Sequence, residues 1–106
     1  MDNEPPASEL IADELRLIRK NVSGVRGSIT ATTDGLLVAH DIHGIEPTQV
    51  AALVAAAHAV ALRASLSTEC GPLREGITRG TDGYLAVYSA GGTAIVAVLG
   101  VSDMNV

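Results

Sequence analysis

The feature that most constrains this chain is an apolar stretch of helical composition. Residues 50–64 read VAALVAAAHAVALRA, and eight of these fifteen residues are alanine. Only His58 and Arg63 in the stretch are polar. A helix on the surface of a small soluble domain normally turns one polar face to water. A helix with almost no polar face must therefore be covered on more than one side.

Projection of this helix, predicted over Val50–Ser67, at about 100° per residue separates two apolar stripes. The stripe expected to lie on a sheet comprises Val50, Leu53, Val54, Ala57, Val60, Ala61 and Ala64. The second stripe, beside it, comprises Ala51, Ala55, His58, Leu62 and Leu66. Because the two leucines add bulk to the second stripe, we expect it to contact the same helix of a second copy. The alternative is that alanine forms helices well and tolerates water.

Composition argues against several classes of partner. The formal net charge of −5 and the lack of a basic stripe make nucleic acids and anionic membranes poor partners. The apolar run is bounded by Glu46 and Arg63 and falls short of the roughly 20 residues of a membrane span. Residues 1–6 are acidic and polar, unlike a signal peptide, and the single Cys70 cannot form an internal disulfide. We therefore expect a cytoplasmic protein without direct membrane insertion.

Turn residues and β-branched runs predict the remaining elements. We expect a flexible tail over residues 1–7 and one domain over residues 8–106, which begins with a helix from the N-cap Ser8 to Asn21. Glycine-containing turns join the first two of five predicted strands to each other and likewise the last three, and the alanine-rich helix lies between the two groups. These strands are Val25–Thr33, Leu36–His40, Leu73–Arg79, Tyr84–Ser89 and Thr93–Leu99. The predicted order is α-β-β-α-β-β-β.

The last strand is apolar on both sides, because Val96 and Val98 alternate with Ile95 and Ala97. A strand of this kind is covered on both faces of its sheet. The prediction is an α/β sandwich, with the alanine-rich helix on one face and the first helix on the other. One helix is narrow for a five-stranded sheet. A further C-terminal helix starting within residues 100–106 would complete the cover, and we expect the rest of that helix to be missing from this sequence.

This order of elements resembles the roadblock/dynein-light-chain family over about residues 10–106. The resemblance is carried by GVRGSITATTDGLLVAHD at residues 24–41, by the alanine-rich helix, and by GGTAIVAVLGVSDMNV at residues 91–106. The pattern is most similar to the bacterial, actinobacterial-type branch. It implies a mostly antiparallel sheet of order 2-1-5-4-3 and a homodimer in which the third strand and the middle helix each meet their own copy.

For this chain, the resemblance and the second stripe together assign a dimer interface. Its residues are Ala51, Ala55, His58, Leu62, Leu66, Leu73, Glu75 and Ile77. Family members bind and regulate small Ras-like GTPases or serve as adaptors. The resemblance therefore implies a non-enzymatic dimeric regulator or scaffold for such a GTPase in a bacterial signalling system, recruited to membranes only by its partners. The alternative is an adaptor that joins a sensor-kinase-like protein to other subunits without an effect on GTP turnover.

Catalytic and metal-binding motifs are weak in this sequence. It has no phosphate-binding loop, so the chain does not itself resemble a GTPase, and Ser28 is expected to be an ordinary strand serine. His40, Asp41 and His43 form a metal-like cluster, but a structural zinc site needs four ligands. We expect no cofactor, and a small-molecule sensor is a third hypothesis that lacks convergent polar groups. None of the available arginines is favoured as a finger for a GTPase; these are Arg26, Arg63, Arg74 and Arg79.

Overall fold

A computed structural model describes Glu9, Asp13, Arg16 and residues 24–101. The elements in the continuous range are β1 (Val25–Thr32), β2 (Leu37–Asp41), α1 (Pro47–Ser67), β3 (Glu75–Arg79), β4 (Gly83–Ala90) and β5 (Ala94–Val101). All five predicted strands are present, with small shifts at their ends. Of the helix predicted from Ser8 to Asn21, only the three isolated residues are described, and all three are helical. The predicted tail and a helix beyond residue 101 lie outside the described residues.

The strands form one sheet in the order β2-β1-β5-β4-β3, and all neighbours are antiparallel. This confirms the order that the resemblance implied. The turn between β1 and β2 has the predicted chemistry, because Gly35 adopts a φ of 95°. The Gly35 amide donates to the Thr32 carbonyl oxygen at 3.0 Å. The Thr32 hydroxyl oxygen also accepts a hydrogen bond from the Leu36 amide at 3.1 Å, which closes the hairpin.

Side chains are buried on both faces of the sheet. On the face that carries α1, Ile29 and Ile95 pack with Val54 of the helix. On the opposite face, Ser28 and Ala86 are also buried. Burial therefore extends through the sheet, as the apolar alternation in β5 predicted.

Helix α1 is longer than predicted, because it starts at Pro47 rather than Val50. Glu46 is the N-cap, and its carboxylate accepts a hydrogen bond from the Thr48 amide at 3.2 Å. At the other end, Glu69 adopts a left-handed φ of 62°, and its amide donates to the Leu66 carbonyl oxygen. The Cys70 amide reaches the Ser65 carbonyl oxygen at 2.9 Å, which completes a Schellman motif. This reversal directs the chain back towards β3.

By length and composition alone, α1 could cross a membrane, and no other helix within the described residues meets those criteria. The prediction that the run is too short for a span was therefore wrong about its length. The structure nevertheless lays α1 along the sheet, where Ala51, Val54, Ala55 and His58 are buried. A helix that packs in the core of a domain can satisfy the same length and composition criteria. The packing of α1 against the sheet favours this interpretation over a membrane span.

Candidate interaction surface

The sequence assigned the wrong stripe of α1 to the sheet. Ala51 and Ala55 are only 0% and 5% exposed, and they pack in the core cluster with Ile29. His58 is buried as well. These three predicted interface residues are thus covered within a single copy of the chain, so their side chains are not free to meet a second copy.

The stripe that was expected to lie on the sheet is mostly exposed instead. Leu53 is 62% exposed and Val60 is 69% exposed. The outer face of α1, as we call it, is exposed and apolar, and it comprises Ala52, Leu53, Ala56, Ala57, Ala59, Val60 and Ala64. Gln49 and Arg63 are also exposed towards the two ends of α1, so the surface is largely but not wholly apolar. A largely apolar surface of this kind on a small domain marks a site of interaction.

The remaining predicted interface residues lie closer to open surface. Leu66 is 53% exposed at the end of α1, and Leu62 and Leu73 are half-buried. Glu75 and Ile77 lie on β3, which is the last strand of the described sheet and pairs there only with β4. An edge strand presents unpaired backbone groups to any other strand. The structure therefore supports β3 as an accessible edge.

A groove connects the outer face of α1 to the β3 edge. The helix packs mainly over β1 and β2, so its flank leaves a cavity of 180 Å³ beside β3 and β4. The cavity is lined by Ala57, His58, Ala61, Leu73, Gly76, Ile77, Thr78, Leu85 and Val87. Ala57, Ala61 and Gly76 are too small to fill this space. The helix flank, the groove and the strand edge therefore form one continuous surface.

His58 and Ser89 form the one serine–histidine contact among the described residues. The distance from His58 Nε2 to Ser89 Oγ is 3.0 Å, and Ser89 Oγ donates to the Leu73 carbonyl oxygen at 3.1 Å. A hydroxyl group has one hydrogen. Because that hydrogen serves the bond to Leu73, the His58 tautomer that carries hydrogen on Nε2 satisfies both contacts, with Nε2 as the donor to Ser89. The contact joins α1 to β4 and to the segment before β3, and no sequence pattern pointed to Ser89 as the partner of His58.

The other polar residues singled out in the sequence do not assemble into a reaction centre. The closest approach of His43 Nε2 to Asp41 Oδ1 is 3.9 Å, and the His43 side chain is 80% exposed. Within residues 24–101, no three His, Cys, Asp or Glu side chains are placed to hold a metal ion. Ser28 is buried in β1, and Cys70 is exposed with its Sγ accepting from Thr68 Oγ1 at 3.3 Å. All four arginines considered above are exposed and lie on separate parts of the chain.

An apolar helix face beside an open strand edge defines a protein-interaction domain built as an α/β sandwich. The family model described as Roadblock/LC7 domain matches residues 11–100. The chain therefore belongs to the Roadblock/LC7 family, as the sequence resemblance predicted.

Solved structures of bacterial roadblock proteins share the fold. A Roadblock/LC7 domain from Streptomyces avermitilis superposes with a TM-score of 0.80 at 20% identity, over 89% of this chain and 80% of that one. MglB of Myxococcus xanthus gives a TM-score of 0.86 at 13% identity, over 100% and 80%. The gliding protein MglB of Thermus thermophilus gives 0.78 at 19% identity, over 96% and 79%. No curated protein sequence matches the chain.

Proposed function

We propose that this protein is a non-enzymatic homodimer that binds a small Ras-like GTPase in a bacterial signalling system and regulates or scaffolds it. Family membership supports a regulator in GTPase systems, because that is the role the roadblock resemblance implies. The observation that carries the proposal is the exposed apolar face of α1 beside the open edge of β3. We place the protein in the cytoplasm, with any membrane recruitment made by its partners.

A second copy is the proposed occupant of part of this surface. The outer face of α1 and the β3 edge lie on the same side of the domain, joined by the groove that Ala57 and Ile77 line. A two-fold axis beside β3 would bring two helices together and extend the sheet in one step. Small side chains such as Ala57 and Ala61 let helix backbones approach closely. The sheet edge would then be covered as well.

The proposed mechanism is a difference in binding affinity, as expected for a non-enzymatic regulator. A protein of this kind changes a GTPase through different affinities for its nucleotide states, since equal affinity for both shifts neither population. To move an equilibrium from 1:99 to 99:1, the affinities must differ by about 10⁴-fold. A scaffold needs no such difference. Comparison of the affinities for the GDP-bound and GTP-bound partner therefore separates regulation from tethering.

The proposal is tested by affinity capture from the native lysate, followed by GTP turnover. We expect a stoichiometric small GTPase, identified by mass, whose hydrolysis rate or nucleotide affinity changes when this protein is added. A GTPase that binds with unchanged turnover and equal affinity for both nucleotide states would support scaffolding. Recovery of only a sensor-kinase-like assembly would replace the proposal with the adaptor alternative.

The dimer requires a separate test with a matched pair of variants. Ala57 and Ala59 are both exposed. Because residues two apart in a helix project to nearly opposite sides, they lie on opposite flanks of α1. Only Ala57 lines the groove beside β3. We expect Ala57→Glu to give the protomer mass in light scattering and Ala59→Glu to keep the dimer mass. Ala55→Glu would not serve, because Ala55 lies in the core of its own protomer. A wild-type protomer mass at high concentration would refute the dimer.

A further inference from the structure

The backbone of β3 shows which of its residues face the open edge. The Ser89 amide donates to the Arg74 carbonyl oxygen at 3.2 Å, and the Gly80 amide donates to the Gly83 carbonyl oxygen at 2.8 Å. Even-numbered positions therefore direct their backbone groups towards β4. In an antiparallel ladder the direction alternates along the strand. It follows that Glu75, Ile77 and Arg79 direct their amides and carbonyls to the open edge.

The same three residues share one face of the sheet, because side chains alternate with a period of two. All three side chains are exposed. The strand reads Glu-Gly-Ile-Thr-Arg, so an acidic residue and a basic residue stand at equal distances on either side of Ile77. Rotation of the strand by a two-fold axis at Ile77 therefore places each charge opposite its complement.

We propose that β3 pairs with β3 of a second copy about an axis at Ile77, and that the charge pair of Glu75 with the partner's Arg79 selects this register. The inference rests on the homodimer proposed above and adds its register and its selectivity. The arrangement forms two such charge pairs, sets Ile77 against the partner's Ile77, and pairs all five residues of the strand.

Other registers of the same edge lose these features. When two such edges pair, residues that face the open edge must lie opposite each other. From one allowed register to the next, the sum of the two paired residue numbers therefore changes by two. An axis at Gly76 or at Thr78 sets Ile77 against the partner's Glu75 or Arg79, respectively. An axis at Glu75 or at Arg79 sets like charges against each other, which is unfavourable in cross-strand pairs. Only the axis at Ile77 joins opposite charges directly.

Charge reversal tests this register without a change in the core. Glu75→Arg and Arg79→Glu each convert two attractive pairs into two repulsive ones, because symmetry repeats every change. We expect each single variant to dissociate about tenfold more readily than the wild type at low salt. High salt should reduce this difference, since the side chains are exposed.

Mixing the variants provides the decisive measurement. The Glu75→Arg variant has arginine at positions 75 and 79, and the Arg79→Glu variant has glutamate at both. The two variants should therefore form a mixed dimer in preference to either homodimer. The double variant Glu75→Arg/Arg79→Glu should recover the homodimer. Asp34→Arg is the matched control for a charge reversal on an exposed residue away from β3, in the turn between β1 and β2, and it should leave dimerisation unchanged.

The outcomes separate the register from the dimer itself. If the wild type forms a dimer and both single variants retain its affinity, the register proposal is refuted while the dimer stands. If the wild type is a single protomer in solution, the homodimer itself is refuted, and the register proposal is refuted with it. Circular dichroism identifies a variant that fails to fold. In that event a mixture of Gly76→Cys and Thr78→Cys, each in a Cys70→Ser background, gives a second readout. An axis at Ile77 sets these two positions opposite each other as a non-hydrogen-bonded pair, whose close Cβ atoms suit a disulfide, and a Cβ at Gly76 meets no atom within 4 Å. The two cysteines should cross-link to each other under mild oxidation, and failure to do so overturns the proposal.

Discussion

At the scale of single residues, the hydrogen bond between His58 and Ser89 is the informative contact. The Ser89 hydroxyl bridges His58 and the Leu73 carbonyl oxygen, so its removal costs both groups their partner. We expect Ser89→Ala to lower the free energy of unfolding by about 1 kcal/mol in chemical denaturation. Ser67→Ala, on the exposed last turn of α1, is the control and should change little. Equal effects of the two substitutions would contradict the bridging role.

The sequence predicted that His58 needs a partner but placed it on the wrong surface. Both stripes of α1 are apolar and rich in alanine, so hydrophobicity alone does not distinguish the covered one. Leu53 and Val60 are larger than Ala51 and Ala55, yet the smaller residues face the sheet. The reason is close packing: alanine allows the helix backbone to approach Ile29 and Ala31. Which stripe of α1 faces the sheet depends on the distance between the helix and the sheet. Local sequence patterns do not encode this distance.

At the scale of elements, strands and turns were predictable because their signals are local. Glycine turns and β-branched runs set the strand positions, and the family resemblance supplied their order. The contact between Gly100 and Tyr84 was not predictable, because it depends on the register of β4 with β5. A Cβ atom at Gly100 would overlap the Tyr84 ring, which lies over this glycine as its cross-strand partner. Strand β5 therefore requires glycine at position 100, opposite Tyr84.

This contact gives a prediction for the β4–β5 pair. Gly100→Ala should lower the free energy of unfolding by about 2 kcal/mol, because the Tyr84 ring must move out of a well-packed site. Gly92→Ala, in the turn between the same strands, is the control, since a Cβ there meets no atom within 4 Å. Thermal or denaturant unfolding measures both variants. If Gly100→Ala unfolds like Gly92→Ala, the ring does not require the glycine.

At the scale of the whole molecule, two incomplete features lie on one side of the domain. The sheet ends in an open strand, and the helix beside it exposes Leu53 and Val60. Each feature alone is a hazard, since open edges and apolar patches favour association. Their position on the same side means that a single symmetric contact covers both. The composition of α1, with alanine on almost every side, is then accounted for by one sheet and one second copy.

Association of this kind makes stability depend on concentration. If folded protomers are stabilised by pairing, each tenfold rise in protein concentration raises the free energy of unfolding by about 1.4 kcal/mol per dimer. For a domain of this size we expect the midpoint of thermal unfolding to rise by about 3–5 °C per tenfold. Ala57→Glu should abolish this dependence, whereas Ala59→Glu should retain it, because only Ala57 lines the groove beside β3. A midpoint of the wild type that stays constant over a hundredfold range would show that the exposed face of α1 is not covered by a second copy. That face would then be free for a different protein partner.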